Sequence, residues 1–155
     1  MRRICLLLGW LVVAFLPAHA GHSPPKLILH IHVQTNGAGL SAQEATSIPI
    51  PPNGEIIQIR TLPEVTEQDL IGAAEQNGVV RLQFDHAGSV ALSAATAENQ
   101  GRIMVVMLNG YVIYAPIIDE QITSGELDIP KALDPRLIAL LQDTAKQNVR
   151  KGNKA

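Results

Sequence analysis

The period of hydrophobic and polar positions changes several times along the chain, and each change marks an element. From Leu27 to Gln34 the positions alternate. Leu27, Leu29, Ile31 and Val33 fall on one side, and Ile28, His30, His32 and Gln34 on the other, the pattern of a strand. Thr35 to Pro52 keeps no period and ends Ile48-Pro49-Ile50-Pro51-Pro52. Prolines lack the ladder donor, so this stretch reads mostly as loop, and any strand in it lies on an edge. Asn53-Gly54 turns the chain into a short strand, Glu55 to Arg60. A first helix is predicted over Glu67 to Gln76. Thr66 is placed as its N-cap with Asp69 three residues on, Val65 and Leu70 as a hydrophobic staple, and Asn77-Gly78 as its C-cap pair. Val79 to Phe84 reads as a strand. Asp85 then caps a second helix, Ala87 to Asn99, whose small residues Val90, Ala91, Ala94, Ala95 and Ala97 allow a close approach to a sheet.

The most informative stretch runs from Gly101 to Ile118. Ile103 to Leu108 is apolar on both alternating sides, which predicts a central strand covered on both faces. Asn109-Gly110 is a strong tight-turn signal, because both central residues of a type I′ turn need positive φ. The return strand, Tyr111 to Ala115, stops at Pro116. After Ile117, Ile118 and Ile122 come a turn at Ser124-Gly125 and a short strand, Leu127 to Ile129. A third helix is signed by Asp134 as N-cap, Pro135 at the first helical position, and Leu133 stapled to Ile138. Leu137, Ile138, Leu141 and Ala145 form its apolar stripe. The order β-β-α-β-α-β-β-β-α predicts an α+β sandwich: a mostly antiparallel sheet with three helices.

The N-terminus changes this picture only by subtraction. Arg2 and Arg3, an apolar run from Ile4 to Leu16, and Ala18-His19-Ala20 have the form of a secretory signal peptide cleaved after Ala20. The competing reading is an uncleaved membrane anchor. Cleavage implies a periplasmic or secreted protein with a linker over residues 21–26 and one domain over residues 27–145. The single cysteine, Cys5, leaves with the leader, so no disulfide framework is possible and apolar burial must hold the core. Residues 21–145 hold six Lys and Arg against all fourteen acids, a formal charge of −8, which argues against nucleic acid as a partner. Lys146, Arg150, Lys151 and Lys154 make residues 146–155 a basic flexible tail, with contact to a membrane surface as a weaker reading.

Reactive chemistry is hard to find. The chain has no nucleophile elbow, zinc-protease helix motif or phosphate-binding loop, and no pattern that calls for a cofactor. Asp119-Glu120 reads as a solvated turn, and His86 as a neighbour of the Asp85 cap. His30 and His32, two apart on one strand face, have a spacing that some metal sites use. A site there would need further ligands, with His22 and His86 among the candidates. The competing reading puts both on the outer face of an edge strand. Once Trp10 and Phe15 are removed with the leader, the aromatics are Phe84, Tyr111 and Tyr114, too few for a stacking platform.

One resemblance is specific. The run Gly101-Arg102, an apolar strand, Leu108-Asn109-Gly110, a strand ending Ala115-Pro116-Ile117-Ile118, then Ile122 and Ser124-Gly125, resembles the head part of the first periplasmic domain of SecD. The preceding strand, Asp85, Gly88, and the small-residue helix with Thr96 and Asn99 are similar too, so the match covers about Val79 to Leu141. Asn109 stands where that family usually has Asp, and Ser124-Gly125 where it has Gly-Gly. A base subdomain of the usual length and the transmembrane helices that carry proton-coupled export are not recognised here. The resemblance implies the head fold and an export-side location, and a stand-alone secreted version of the head. It points to a non-catalytic module that binds protein chains or export and envelope components, including those of the translocon. The residues proposed for contact are Asn109, Gly110 and Tyr111 at the hairpin tip, and Tyr114 and Pro116 along its edge. The alternative is a metal-binding protein using His30 and His32.

Overall fold

A computed structural model describes residues 26–37, 41 and 43–153. The leader expected over residues 1–20, most of the expected linker, and His22 therefore lie outside the described residues. The elements are β1 (Leu29–Val33), β2 (Ala45–Ile50), β3 (Glu55–Arg60), β4 (Val65–Thr66), a 3-10 turn (Glu67–Asp69), β5 (Leu70–Gln76), β6 (Val79–Phe84), α1 (His86–Glu98), β7 (Met104–Leu108), β8 (Tyr111–Tyr114), β9 (Glu126–Ile129) and α2 (Pro135–Gly152). They form three antiparallel sheets, ordered β4-β1-β7-β8, β2-β3 and β5-β6-β9. The class is α+β as expected, but with two α-helices among the described residues rather than three.

The helix expected over Glu67 to Gln76 is the element that differs. Its cap forms as read. The Thr66 N–H donates to Asp69 Oδ2 at 2.8 Å, and Thr66 Oγ1 accepts from the Gln68 N–H at 3.3 Å. The helical turn then ends at once, and Leu70 starts a strand. Asn77 and Gly78 have φ of 54° and 77°, the two positive values of a type I′ turn, and they close a β5–β6 hairpin instead of capping a helix. Gly72 inside the segment also weakens a helix by about 1 kcal/mol relative to Ala.

The central strand is covered on both faces. Met104, Val106 and Leu108 of β7 join the main core. That core is shared with Leu29 and Ile31 of β1, Val80 and Leu82 of β6, and Leu92 of α1 and Leu141 of α2. Val105 faces the other way and meets Ile57 and Ile59 of the β2–β3 hairpin in a second cluster. Each fully buried Val, Leu or Ile stabilises the fold by roughly 1.5–3 kcal/mol relative to exposure. Val65 and Leu70, the staple pair, are both fully buried in the main core. α2 continues to Gly152, through residues that the charge pattern sets apart as a tail. Asn148 ties it down, donating through Nδ2 to the carbonyls of Glu67 at 2.7 Å and Leu70 at 2.9 Å.

The two histidines correct another expectation. β1 lies between β4 and β7 and is not an edge. His32, opposite Val105, is 4 % exposed, because the β2–β3 hairpin folds over that face, and its Nδ1–H donates to the Arg60 carbonyl at 2.9 Å. His30 stands edge-on to it, ring centroids 5.6 Å apart. Among the described residues no third His, Cys, Asp or Glu joins them to form a metal-binding group.

Candidate functional site

Among the described residues β8 is an edge of the four-stranded sheet, paired with β7 alone. Simple alternation would put Val112 and Tyr114 on the same face. A register irregularity in the β7–β8 pair prevents this: Met107 pairs with Val112, but Val106 pairs with Tyr114. The extra residue on β8, a β-bulge, turns Tyr114 to the side of the main core while Val112 stays against the second cluster. The hairpin turn itself is as expected, with φ of 50° at Asn109 and 84° at Gly110. Asn109 also fixes the start of β1: its Oδ1 accepts from the Ile28 N–H at 3.0 Å, and its own N–H donates to the Ile28 carbonyl at 2.8 Å.

Past Tyr114 the chain keeps partial contact with β7. The Met104 N–H donates to the Pro116 carbonyl at 2.9 Å, and Gly101 and Ile118 are joined N–H to carbonyl at 2.8 Å. Beyond Ile118, the segment up to Gly125 is held from α1. Thr96, fully buried, accepts at Oγ1 from the Ile122 N–H at 2.9 Å and donates to the Leu92 carbonyl at 2.8 Å. Gln121 Nε2 donates to Ser93 Oγ at 2.8 Å. The Gly125 carbonyl accepts from Phe84 N–H at 3.0 Å. A side chain at Gly125 is opposed twice, by its φ of 70° and by the Ser89 side chain against which a Cβ would fall.

These anchors leave a cleft of about 520 Å³ between the end of β8 and the β6–β9 pair, with Thr96 in its wall. Tyr114, Pro116, Ile117, Ile122 and Leu127 supply its apolar surface. Asp119, Glu120, Glu126 and Asp128 supply carboxylates, against one cation, Arg81. Arg81 is committed to a two-pronged ion pair, Nε to Asp128 Oδ1 and Nη2 to Oδ2, both 2.7 Å, with Glu126 Oε2 at 3.5 Å. That hydrogen bonding holds the Asp128 carboxyl below the usual carboxylate range. Among the described residues no histidine or cysteine lines the cleft, so its hydroxyls, Thr96, Thr123 and Ser124, have no described imidazole or thiolate beside them. The geometry can hold a ligand through backbone edges, apolar contact and carboxylates.

Of the contact residues read from sequence, the structure brings Tyr114 and Pro116 together in the cleft. Asn109, Gly110 and Tyr111 lie at the opposite end of β8, where Tyr111 is 77 % exposed. They are continuous with the cleft only along the free edge of β8. Arg81 and Asp128 were not singled out in the sequence. Their signal was present as outward polar positions on two strands, but pairing them requires the β6–β9 register, across 47 residues. Asp119-Glu120, read as a solvated turn, is exposed and forms part of the rim.

A family model described as "SecDF, P1 head subdomain" matches residues 51–135. The chain belongs to the SecDF P1 head subdomain family. The matched span starts well before Val79, so it takes in β3, the capping turn and β5 as well as the hairpin. A 71-residue stretch is 37% identical to the protein translocase subunit SecD of Acidaminococcus fermentans; it is 44% of this chain but only 17% of that SecD. Two solved structures share the fold. One, described as a membrane component SecDF that enhances protein export, superposes with a TM-score of 0.55 at 19% identity, over 78% of this chain and 62% of that one. The other, SecDF in a super-membrane-facing form, gives 0.54 at 21% identity, over 77% and 18%. The chain thus spans less than two thirds of each of these relatives. Among the described residues, no helix is long and apolar enough to cross a membrane.

Proposed function

We propose that this protein is a non-catalytic, periplasmic module of protein export that holds extended protein chains along the free edge of β8 and in the adjoining cleft. The observation that carries this reading is the path of Tyr114 to Ile118. The bulge and Pro116 end the strand beside an open cleft, so its outer backbone edge runs directly into a groove walled by apolar side chains and carboxylates. An edge strand binds another chain mainly through main-chain hydrogen bonds, which tolerate many sequences. The exposed Ile117, 66 % accessible, and Tyr114 add apolar contact without demanding a particular side chain. Such weak, sequence-tolerant binding suits a chain in transit. Membership in the SecDF head family supports the export connection, and the leader-like pattern of residues 1–20 is in keeping with delivery across the membrane. The export connection and delivery across the membrane are both part of this proposal.

The test is site-specific photocrosslinking in living cells, with a photoreactive phenylalanine analogue at Tyr114 and, as a control, at Leu62, which is 80 % exposed on a different loop. Crosslinks from position 114 to exported polypeptides of many sizes, reduced by Ile117→Asp, are expected. A single discrete adduct would replace transit chains by one fixed partner. Equal labelling from positions 114 and 62 would sink the proposal.

A further inference from the structure

The cleft beside β8 carries charge as well as apolar surface. Four carboxylates in its walls, Asp119, Glu120, Glu126 and Asp128, stand against one cation, Arg81. Arg81 is already paired within the wall. Both prongs of its guanidinium are taken by Asp128 at 2.7 Å, and Glu126 Oε2 stands at 3.5 Å. The other Glu126 oxygen, Oε1, accepts from Gln83 Nε2 at 2.7 Å. Residues 101–125, which build the rim, contain a single cation, Arg102. Its carbonyl accepts from the Ile118 N–H, but its guanidinium is turned to the Gln34 carbonyl, to which Nη1 donates at 3.5 Å. Asp119 and Glu120 enter no ion pair among the described residues, and both are exposed on the rim just past Ile118.

We infer that the cleft selects, among extended protein chains, segments that carry Lys or Arg beside apolar residues. The selection rests on the binding of extended chains proposed above. The backbone edge of β8 discriminates little between sequences, but four carboxylates less one guanidinium leave the walls with three net negative charges. A segment lying along Tyr114 to Ile118 meets Asp119 and Glu120 where it leaves β8, and Glu126 and Asp128 on the β9 side. A Lys or Arg supplies the partner that the rim lacks, and its apolar stem can lie against the exposed Ile117. An Asp or Glu meets like charge, with the one guanidinium of the cleft already paired. The rim carboxylates are solvated, so each contributes a few-fold in affinity and not orders of magnitude.

Fluorescence anisotropy of the protein with three labelled, unfolded peptides tests this. The peptides share one sequence of apolar and polar residues and carry Lys, Gln or Glu at the same central positions. The Lys peptide should bind about tenfold tighter than the Glu peptide at low salt, since an exposed ion pair is worth up to about fivefold and the exchange also introduces repulsion. That ratio should fall by at least about half in about 0.5 M salt. Asp119→Asn combined with Glu120→Gln should lower it at least about threefold. Asp143→Asn combined with Glu55→Gln removes the same charge from exposed positions outside the cleft and should leave the ratio near its starting value. The Gln peptide, if Tyr114→Ala weakens it, reports binding of extended chains at the edge and cleft by itself. Lys and Glu peptides that bind alike while the Gln peptide binds in this way overturn the selection and leave chain binding standing. A ratio untouched by the Asp119 and Glu120 pair of substitutions, or lowered as much by the Asp143 and Glu55 pair, also overturns it. Binding of none of the peptides overturns the selection and the proposed function together.

Discussion

Replacing Thr96 by valine isolates the hydrogen bond that holds the outer wall of the cleft. Thr96 is fully buried, and its Oγ1 is the acceptor for the Ile122 N–H at 2.9 Å. Valine keeps the shape and removes the hydroxyl. The loss of a partner for a buried donor costs about 1–3 kcal/mol. Ile122 is half-buried, so water can partly replace the partner and the lower part of that range, about 1–2 kcal/mol, is expected. In a domain of this size each 1 kcal/mol lowers Tm by roughly 2–8 °C. Thermal unfolding alone does not identify the cause, because Thr96→Ser also costs about 1 kcal/mol by deleting a buried methyl group. Native-state hydrogen exchange separates the two. In Thr96→Val the Ile122 amide should lose protection by about 5- to 30-fold, the ratio that 1–2 kcal/mol represents. In Thr96→Ser the hydroxyl remains, and any loss at Ile122 should match that of amides in β6. A Thr96→Val protein with unchanged Tm, or with Ile122 protected as well as in Thr96→Ser, would refute the assignment of this bond as the anchor of residues 118–125.

Other consequences can be checked with equal economy. Burial lowers the pKa of His32, opposed in part by its bond to the Arg60 carbonyl, while the nearby His30 lowers it further. The unfolded chain therefore binds this proton more readily, and stability contributed by neutral His32 should be lost as pH falls from about 6.5 toward the lower folded value. Urea midpoints across that window should drop, with a slope that His32→Gln reduces by no more than about 1.4 kcal/mol per pH unit, the limit for one proton. Asn109→Ala, which removes the acceptor for the Ile28 N–H at a φ of 50°, should cost about 1–2 kcal/mol by chemical denaturation. Asn109→Asp, which keeps the acceptor, should stay within about 0.5 kcal/mol. Gly125→Ala should cost at least about 1–2 kcal/mol from its φ of 70°, and adding Ser89→Ala should recover only the part due to contact.

Much of the fold was legible where the local pattern had one reading. Ile103 to Leu108 is apolar on both sides, and it became the strand with a separate cluster on each face. Asp85 and Asp134 announced the two α-helices, and the Oδ1 of each accepts the expected capping bond, from the Gly88 N–H at 2.9 Å and the Arg136 N–H at 2.8 Å. Thr66 with Asp69 was an equally good cap, yet it starts a single turn. Capping signals say where a helix can begin, not how far it runs. The length was decided downstream by Asn77-Gly78, which serves a hairpin as readily as a helix end. The histidines show a different limit. Their alternation on β1 was read correctly, but the burial of His32 comes from β3, which covers that face from farther along the chain. At the candidate site, Tyr114 and Pro116 were readable as the end of an edge strand. The bulge that aims Tyr114 was not, since it adds one residue without any sequence mark. Thr96 looked like one more small residue on a helix of small residues, and only the return of Ile122 to its hydroxyl reveals its use.

The central claim is that extended protein chains lie along β8 and enter the cleft. Its most direct test is an amide NMR titration of the isotope-labelled protein with a permanently unfolded, reduced polypeptide. Saturable shifts confined to Tyr111 to Ile118 and to the facing positions Leu127 and Asp128, weakened by Ile117→Asp, are the predicted result. Shifts centred elsewhere, or none at concentrations where the unfolded chain is in large excess, would contradict it.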